Sequence, residues 1–319
     1  MELLSSKIIK DKILIDYIDY QYLFVEHQSK FLSDLFSRYQ NLENANLVLY
    51  FARQTHQDIL RKKDYDLNFN TSYDRFWTNH SEIQPKRRSL IRIAEDTLLP
   101  KETVRRKILQ LIKQKVLNKK KKTVGWLPTE EYKQSYNLFI SKEIDGVSKL
   151  ISFISKQINF PISREEIVKE IKEKFSFYWF HYLEAQLEYL KLWNKQFNDH
   201  ELILIFLQVA HLFTSKAKGK NLSLKDLYSD PNILKEFVSV SISATSISEI
   251  TKIPRPTCVR KLELLTKLKV ISKNKTSKRY HINSNAISDN LISRKITENV
   301  VKIFSEFYFI CIRAISSKK

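Results

Sequence analysis

Glycine is nearly absent from this chain: Gly125, Gly146 and Gly219 are the only three in 319 residues. Dinucleotide folds and phosphate loops need clustered glycines so that backbone N–H groups can approach a phosphate closely. Most nucleotide-using enzymes are thereby excluded. Cysteine is as scarce. Cys258 and Cys311 lie far apart and outside any CxxC spacing, so neither a disulfide framework nor a zinc site is expected, and a reducing compartment fits. Long apolar runs are missing too. The most apolar stretch, Val300 to Ile315, is broken by Lys302, Glu306 and Arg313, too short and too charged for a bilayer span. The first residues, MELLSSKIIKDKILIDYIDYQ, scatter charges among apolar positions and show no small-residue cleavage site. No secretory leader is expected, and the chain reads as cytoplasmic. No nucleophile and base pair up by spacing, so no catalysis, cofactor or metal is expected.

What is present is a large apolar and a large basic fraction. Hydrophobic side chains make up 43% and aromatic ones 12% of the residues, enough to bury a substantial core at a length suited to about two domains. Lys and Arg outnumber Asp and Glu by 55 to 35, for a net charge of +20. Such an excess favours polyanionic partners, nucleic acid first. An AT-rich coding bias enriches the same lysines, isoleucines, asparagines and phenylalanines, so the position of the charge carries more information than its sum.

The charge is placed in a repeat. LLPKETVRRKILQLIKQKVLNKKKK, from Leu98 to Lys122, returns as KIPRPTCVRKLELLTKLKVISKNKT, from Lys252 to Thr276, 154 positions later and without a gap. The alignment pairs Ser89 with Ser243, Thr97 with Thr251, Pro100 with Pro254, Arg106 with Arg260, Lys113 with Lys267, Lys115 with Lys269 and Lys119 with Lys273. Upstream, NLVLYFARQTH (Asn46 to His56) lies over ELILIFLQVAH (Glu201 to His211) at an offset of 155, which sets His56 opposite His211. We therefore expect two copies of one domain, residues 1–160 and 161–319, joined near Phe160 and Pro161. Each copy should hold a long first helix, a second around 45 to 61 in the first copy, short helices, the quoted helix, a strand hairpin and a long closing helix. Ser163 with Glu166 has the spacing of a capping box.

The repeated unit has the order of a winged helix-turn-helix: a short helix (Ser89 to Asp96), a turn through Leu99 and Pro100, a helix from Lys101 to about Gln114, and a basic strand-turn segment. Proline suits the first helical position, where its missing N–H is unpaired anyway. Val104, Ile108 and Leu111 make the core face, kept as Cys258, Leu262 and Leu265 in the second copy, where Cys258 reads as a small core residue. At about 100° per residue the opposite face carries Glu102, Arg106, Leu109 and Lys113, or Pro256, Arg260, Glu263 and Lys267. Thr103, Arg106, Thr257 and Arg260 are the candidates for the major groove, with Lys113 and Lys267 on the backbone. The first copy offers Lys101, Glu102, Thr103 and Arg105 where the second offers Arg255, Pro256, Thr257 and Val259, so the two half-sites should differ. Wing and flank contacts are assigned to Lys119, Lys120, Lys121 and Lys122, to Lys273, Lys275, Lys278 and Arg279, and to Lys86, Arg87 and Arg88.

The pattern LPKETVRRKILQLIKQKVL, with long helices on either side of the unit, resembles the MarR-type winged helix-turn-helix regulators. That resemblance covers each half and implies a homodimer-like architecture fused into one chain, with first and last helices interlocking. The expected fold is mainly α with short β-hairpin wings: two tandem winged helix-turn-helix domains plus long interlocking helices. The expected function is a sequence-specific, double-stranded DNA-binding transcription regulator, nucleoid-associated, acting as a monomeric pseudo-dimer on an imperfect palindrome. The alternatives are a tandem winged-helix replication initiator or architectural nucleoid protein, and a protein-interaction scaffold, against which the basic clusters argue. The resemblance also implies a small-molecule effector. For the aromatic segments Phe175 to Leu183 and Phe304 to Ile312, tight packing of the intramolecular interface is favoured over a ligand pocket. His56 and His211 read as structural rather than metal-binding.

Overall fold

Ser5 and Ser163 begin the two halves in the same way: each hydroxyl accepts the N–H three residues on, from Ile8 and Glu166, and so caps a ten-residue helix. These are α1 (Ser6–Ile15) and α8 (Arg164–Glu173). The computed structural model describes residues 4–120, 123–126, 129–229, 240–283 and 291–317, with backbone alone at 120 and 291–293. One residue after each first helix begins a 23-residue helix, α2 (Tyr17–Tyr39) and α9 (Phe175–Phe197). Both end on a left-handed residue, Gln40 and Asn198, whose N–H returns to the carbonyls of Phe36 and Asn194. Asn41 and Asp199 then cap α3 (Leu42–Tyr65) and α10 (His200–Ala217).

These matched caps set the upstream offset at 158, not 155. Buried residues agree, with Ile9 and Ile13 answering Ile167 and Ile171, and Gln28 and Leu32 answering Gln186 and Leu190. A shift of three residues is close to one helical turn, so helices buried on most sides align almost as well in either register. Caps, which mark ends rather than faces, break the tie. His56 accordingly stands opposite Thr214, and its pairing with His211 was a product of the wrong register. The expected single long first helix is two helices in each half, broken at Asp16 and Lys174.

The offset returns to 154 in the repeated unit. After α4 (Phe76–Glu82) come α5 (Leu90–Thr97), α6 (Lys101–Lys113), β1 (Leu117–Lys120), β2 (Thr123–Trp126) and the long α7 (Glu130–Gln157). After α11 (Leu224–Ser229) come α12 (Ala244–Thr251), α13 (Arg255–Lys267), β3 (Ile271–Lys273), β4 (Tyr280–Ile282) and α14 (Leu291–Ser316). Ser89 and Ser243 cap α5 and α12, and Thr97 and Thr251 each return a hydroxyl to the carbonyl four residues back at 2.7 Å. Pro100 and Pro254 sit one place earlier than expected, at the N-cap itself, where each carbonyl accepts the first helical N–H bond, from Val104 and Cys258. Both hairpins are antiparallel and two-stranded, with Leu117 opposite Trp126 and Ile271 opposite Ile282 at their bases.

The chain is therefore mainly helical with two small sheets, and the packing between its halves is reciprocal. Helix α2 lies against α10 and α9 against α3, while α1 lies against α14 and α8 against α7. Each half buries its long helices mostly on the other half, closing on a shared core in which Tyr20, Phe24, Tyr182 and Tyr308 are all within 1% of full burial. Helices α6 and α13 dock on the same bundle from their own halves, through α3 and α10.

Candidate nucleic-acid interface

Helices α6 and α13 present one apolar and one basic face, as their spacing dictates. Val104, Ile108 and Leu111 are buried, and Cys258, Leu262 and Leu265 are all at 0% exposure. The Cys258 thiol bonds the Ile253 carbonyl and is raised in pKa, by burial first, which makes it a core residue with little thiolate character. Each helix is clamped from its inner side by a lysine. Lys107 meets Glu43 at 3.0 Å, and Lys261 meets Glu201 at 3.1 Å and Asp199 as well. The two clamps are equivalent, and they fix which face of each helix looks outward.

That outward face holds the expected residues. Lys101, Glu102, Arg105, Arg106 and Lys113 are exposed on α6, and Arg255, Arg260 and Lys267 on α13, with Thr103 and Thr257 half-buried. Among the described residues Arg106, Lys113, Arg260 and Lys267 carry no ion pair. Arg105 differs, because its guanidinium forks onto Glu102 through Nε at 3.0 Å to both carboxylate oxygens. The hydrogen bond from Arg105 holds the Glu102 carboxyl below its ordinary range. The second helix has Pro256 and Val259 at the two places, so its first turn is not self-neutralised, and Arg255 bonds the Thr245 hydroxyl at 3.1 Å instead.

The two hairpins are less uniform than the sequence suggests. In the first, Lys119 is exposed and Lys120 lies on β1 opposite Thr123, while Lys121 and Lys122 fall outside the described residues. In the second, the Asn274 side chain accepts the N–H groups of Thr276 and Ser277, each at 2.9 Å, and shapes the tip. Lys275 and Lys278 project from it. Lys273 folds back onto Glu263 at 3.1 Å and onto the Tyr280 ring, and Arg279 bonds the Ser241 carbonyl. Ahead of the first unit Lys86 and Arg87 are exposed, whereas Arg88 is spent on the Gln54 side chain at 2.7 and 3.1 Å.

Two basic residues belong with this surface and were counted only as matches in the repeat. Lys115 and Lys269 are exposed just past α6 and α13, both in the left-handed region at φ 59° and 58°. Glycine normally fills such a place. Its absence in both halves, with lysine in both, was the available signal.

The chain matches no family model, no curated protein and no solved structure. Its own geometry carries the functional argument.

Elsewhere, the aromatic segments pack as the bundle core. Phe24 meets Phe304 edge to face at 4.8 Å, and Phe175 stacks on Trp179 at 5.3 Å. His56 is fully buried and stacked on Phe76 at 4.7 Å, and desolvation pushes its pKa down to about 3. His211 is half-buried beside Tyr22. Among the described residues no cluster of three metal-ligating side chains occurs, and no helix is long and apolar enough to cross a membrane. Inside the bundle, Tyr182 donates to Glu143 at 3.0 Å and accepts from Gln186 at 2.9 Å, with His27 Nε2 at 3.0 Å from the same hydroxyl. A Cβ at position 146 would collide with the His27 ring, which is why Gly146 stands there.

Proposed function

We propose that the chain is a sequence-specific double-stranded DNA-binding transcription regulator that works as a single-chain pseudo-dimer. Its two halves, 1–160 and 161–319, each supply a winged helix-turn-helix unit. The observation that carries this reading is the recurrence, on two clamped helices, of the same outward pair: Arg106 with Lys113, and Arg260 with Lys267. A solubilising surface needs charge but no fixed position. Two helices whose inner lysines are pinned by equivalent ion pairs hold their outer arginines in equivalent directions, as a reading head requires. The reciprocal packing of α2 on α10 and α9 on α3 supports the MarR-like, fused-dimer architecture, and a cytoplasmic, nucleoid-associated role belongs to the same reading.

On this reading Thr103, Arg106, Thr257 and Arg260 approach base edges, and Lys113, Lys115, Lys267, Lys269 and the wing lysines approach phosphates. The Glu102–Arg105 fork against Pro256 makes the half-sites unequal, with centres about one helical turn apart. Fluorescence anisotropy with duplex DNA at several salt concentrations tests it. Arg106→Ala should relax discrimination in one half-site, costing about 1–3 kcal/mol there and little on non-specific duplex. Equal loss on every sequence would assign Arg106 to the backbone, and steep salt dependence with no sequence preference would favour an architectural nucleoid protein.

A further inference from the structure

The outward faces of α6 and α13 repeat at Arg106 and Lys113 but not between them. At the intervening position α6 carries Leu109, 52% exposed, where α13 has Glu263. A single exposed leucine is ordinary on a protein surface. The surroundings of this one are not ordinary. Arg105, Arg106 and Lys113, its neighbours three and four places away on the same helix, are all exposed cations. Packing does not ask for an apolar residue there either. The core side of α6 is closed by Val104, Ile108 and Leu111, and Leu109 takes no part in it. In the second copy of the same unit Glu263 fills the position and reaches across to β3, where its carboxylate meets Lys273 at 3.1 Å. That carboxylate ties α13 to its own hairpin. Leucine forgoes the tie, and Lys119, which stands where Lys273 does, is exposed and has no ion pair among the described residues.

Of the base edges in a major groove, thymine's is the one that presents an apolar group, its C5-methyl. We propose that Leu109 is a specificity-determining residue that packs on the C5-methyl of one thymine in the half-site read by α6, and that the half-site read by α13 has no matching requirement. Glu263 cannot make that contact, because its carboxylate would lose water against a methyl group and be parted from Lys273. Side chains three residues apart on a helix stand about 5–6 Å from each other, so the thymine lies within about two base steps of the nucleotide that Arg106 meets. The inference rests on the DNA-binding reading and deepens it, since it gives the first half-site a base that charge alone would not choose.

The experiment is fluorescence anisotropy with the full chain on a duplex recovered by selection from random DNA, each thymine being replaced in turn by deoxyuridine. That exchange removes one methyl and leaves every hydrogen-bonding group in place. The expected result is a loss of about fourfold in affinity, the worth of one buried methyl, at a thymine in one half-site. Leu109→Ala should weaken binding to the thymine duplex by at least that factor and should no longer distinguish thymine from uracil at that position. A side chain that merely supported the fold would weaken both duplexes alike and leave their ratio unchanged. The uracil scan of the native chain stands independently of any variant. A uracil effect of equal size in the native and alanine chains would overturn the proposal, as would a motif with no methyl-sensitive thymine, or sensitivity that depends on Leu109 in both half-sites. A recovered motif without methyl discrimination would remove this inference alone; binding that yields no motif, or no binding, would remove the regulator reading and this inference with it.

Discussion

Glu143→Gln should remove a pH dependence of stability that the native chain carries. The carboxyl is 3% exposed, accepts from Tyr182, and has His27 Nε2 at 3.6 Å. Burial pushes its pKa from 4.5 up to about 8, with Asp34 adding to the rise and Lys142 opposing it. His27 brings no compensating charge, since desolvation, helped by Lys30 and Lys149 against Glu26, pushes it down to about 4. A carboxyl with a raised folded pKa binds more protons folded than unfolded. Its contribution is complete below pH 4.5 and is lost progressively as the pH rises to about 8. The buried histidines act in the other direction. His27, His56 and His200, lowered to about 4, 3 and 4, favour the folded state above pH 6.5 and cost stability as the pH falls through their range. From pH 6.5 to 8 the histidines are neutral in the folded state and shed their remaining protons in the unfolded one, a contribution the native chain and the glutamine variant share, so the difference between the two chains isolates Glu143. One and a half units correspond to about 2 kcal/mol. The assay is urea denaturation at pH 6.5, 7.25 and 8. Relative to the glutamine variant, which keeps the acceptor for Tyr182, the native chain should lose about 2 kcal/mol across that window. Parallel pH curves for the two chains would refute the argument, because the titration would then belong to another group.

Three further outcomes follow from the packing. Lys261→Met strands Asp199 and Glu201 together in a site where the lysine is 8% exposed, and should cost about 2–3 kcal/mol, below the full range for breaking a buried pair because both acids are part-exposed; Lys107→Met, whose partner Glu43 is 42% exposed, should cost under about 1 kcal/mol in the same denaturation series. Gly146→Ala drives a methyl into the His27 ring and should lower stability by about 1–3 kcal/mol, read as a drop in melting temperature. Lys269→Gly relieves a left-handed lysine at φ 58°; stability should rise by up to about 1 kcal/mol, while duplex affinity falls, a divergence that a purely structural lysine would not give.

The repeated unit was legible because its helices are half-buried. Val104, Ile108 and Leu111 alternate with charged residues at helical spacing, and that contrast located α5, α6, α12 and α13 to within a residue. The outward positions of Arg106 and Arg260 followed from the same contrast. The bundle gave no such contrast. In α3 and α10 apolar residues surround the axis, so periodicity could not choose between offsets of 155 and 158, and only the caps at Asn41 and Asp199 decided. Charge counts also hid how cations are used, since Arg88, Lys273 and Arg279 look like wing and flank residues by position yet bond to groups of their own chain.

Selection of bound sequences from random duplex DNA by the purified full chain, at two salt concentrations, tests the central claim most directly. The account predicts a bipartite site whose halves differ and whose centres lie about one helical turn apart, recovered at both salts. A perfect palindrome would contradict the unequal reading heads, and a chain that retains no duplex at low salt would contradict DNA binding altogether.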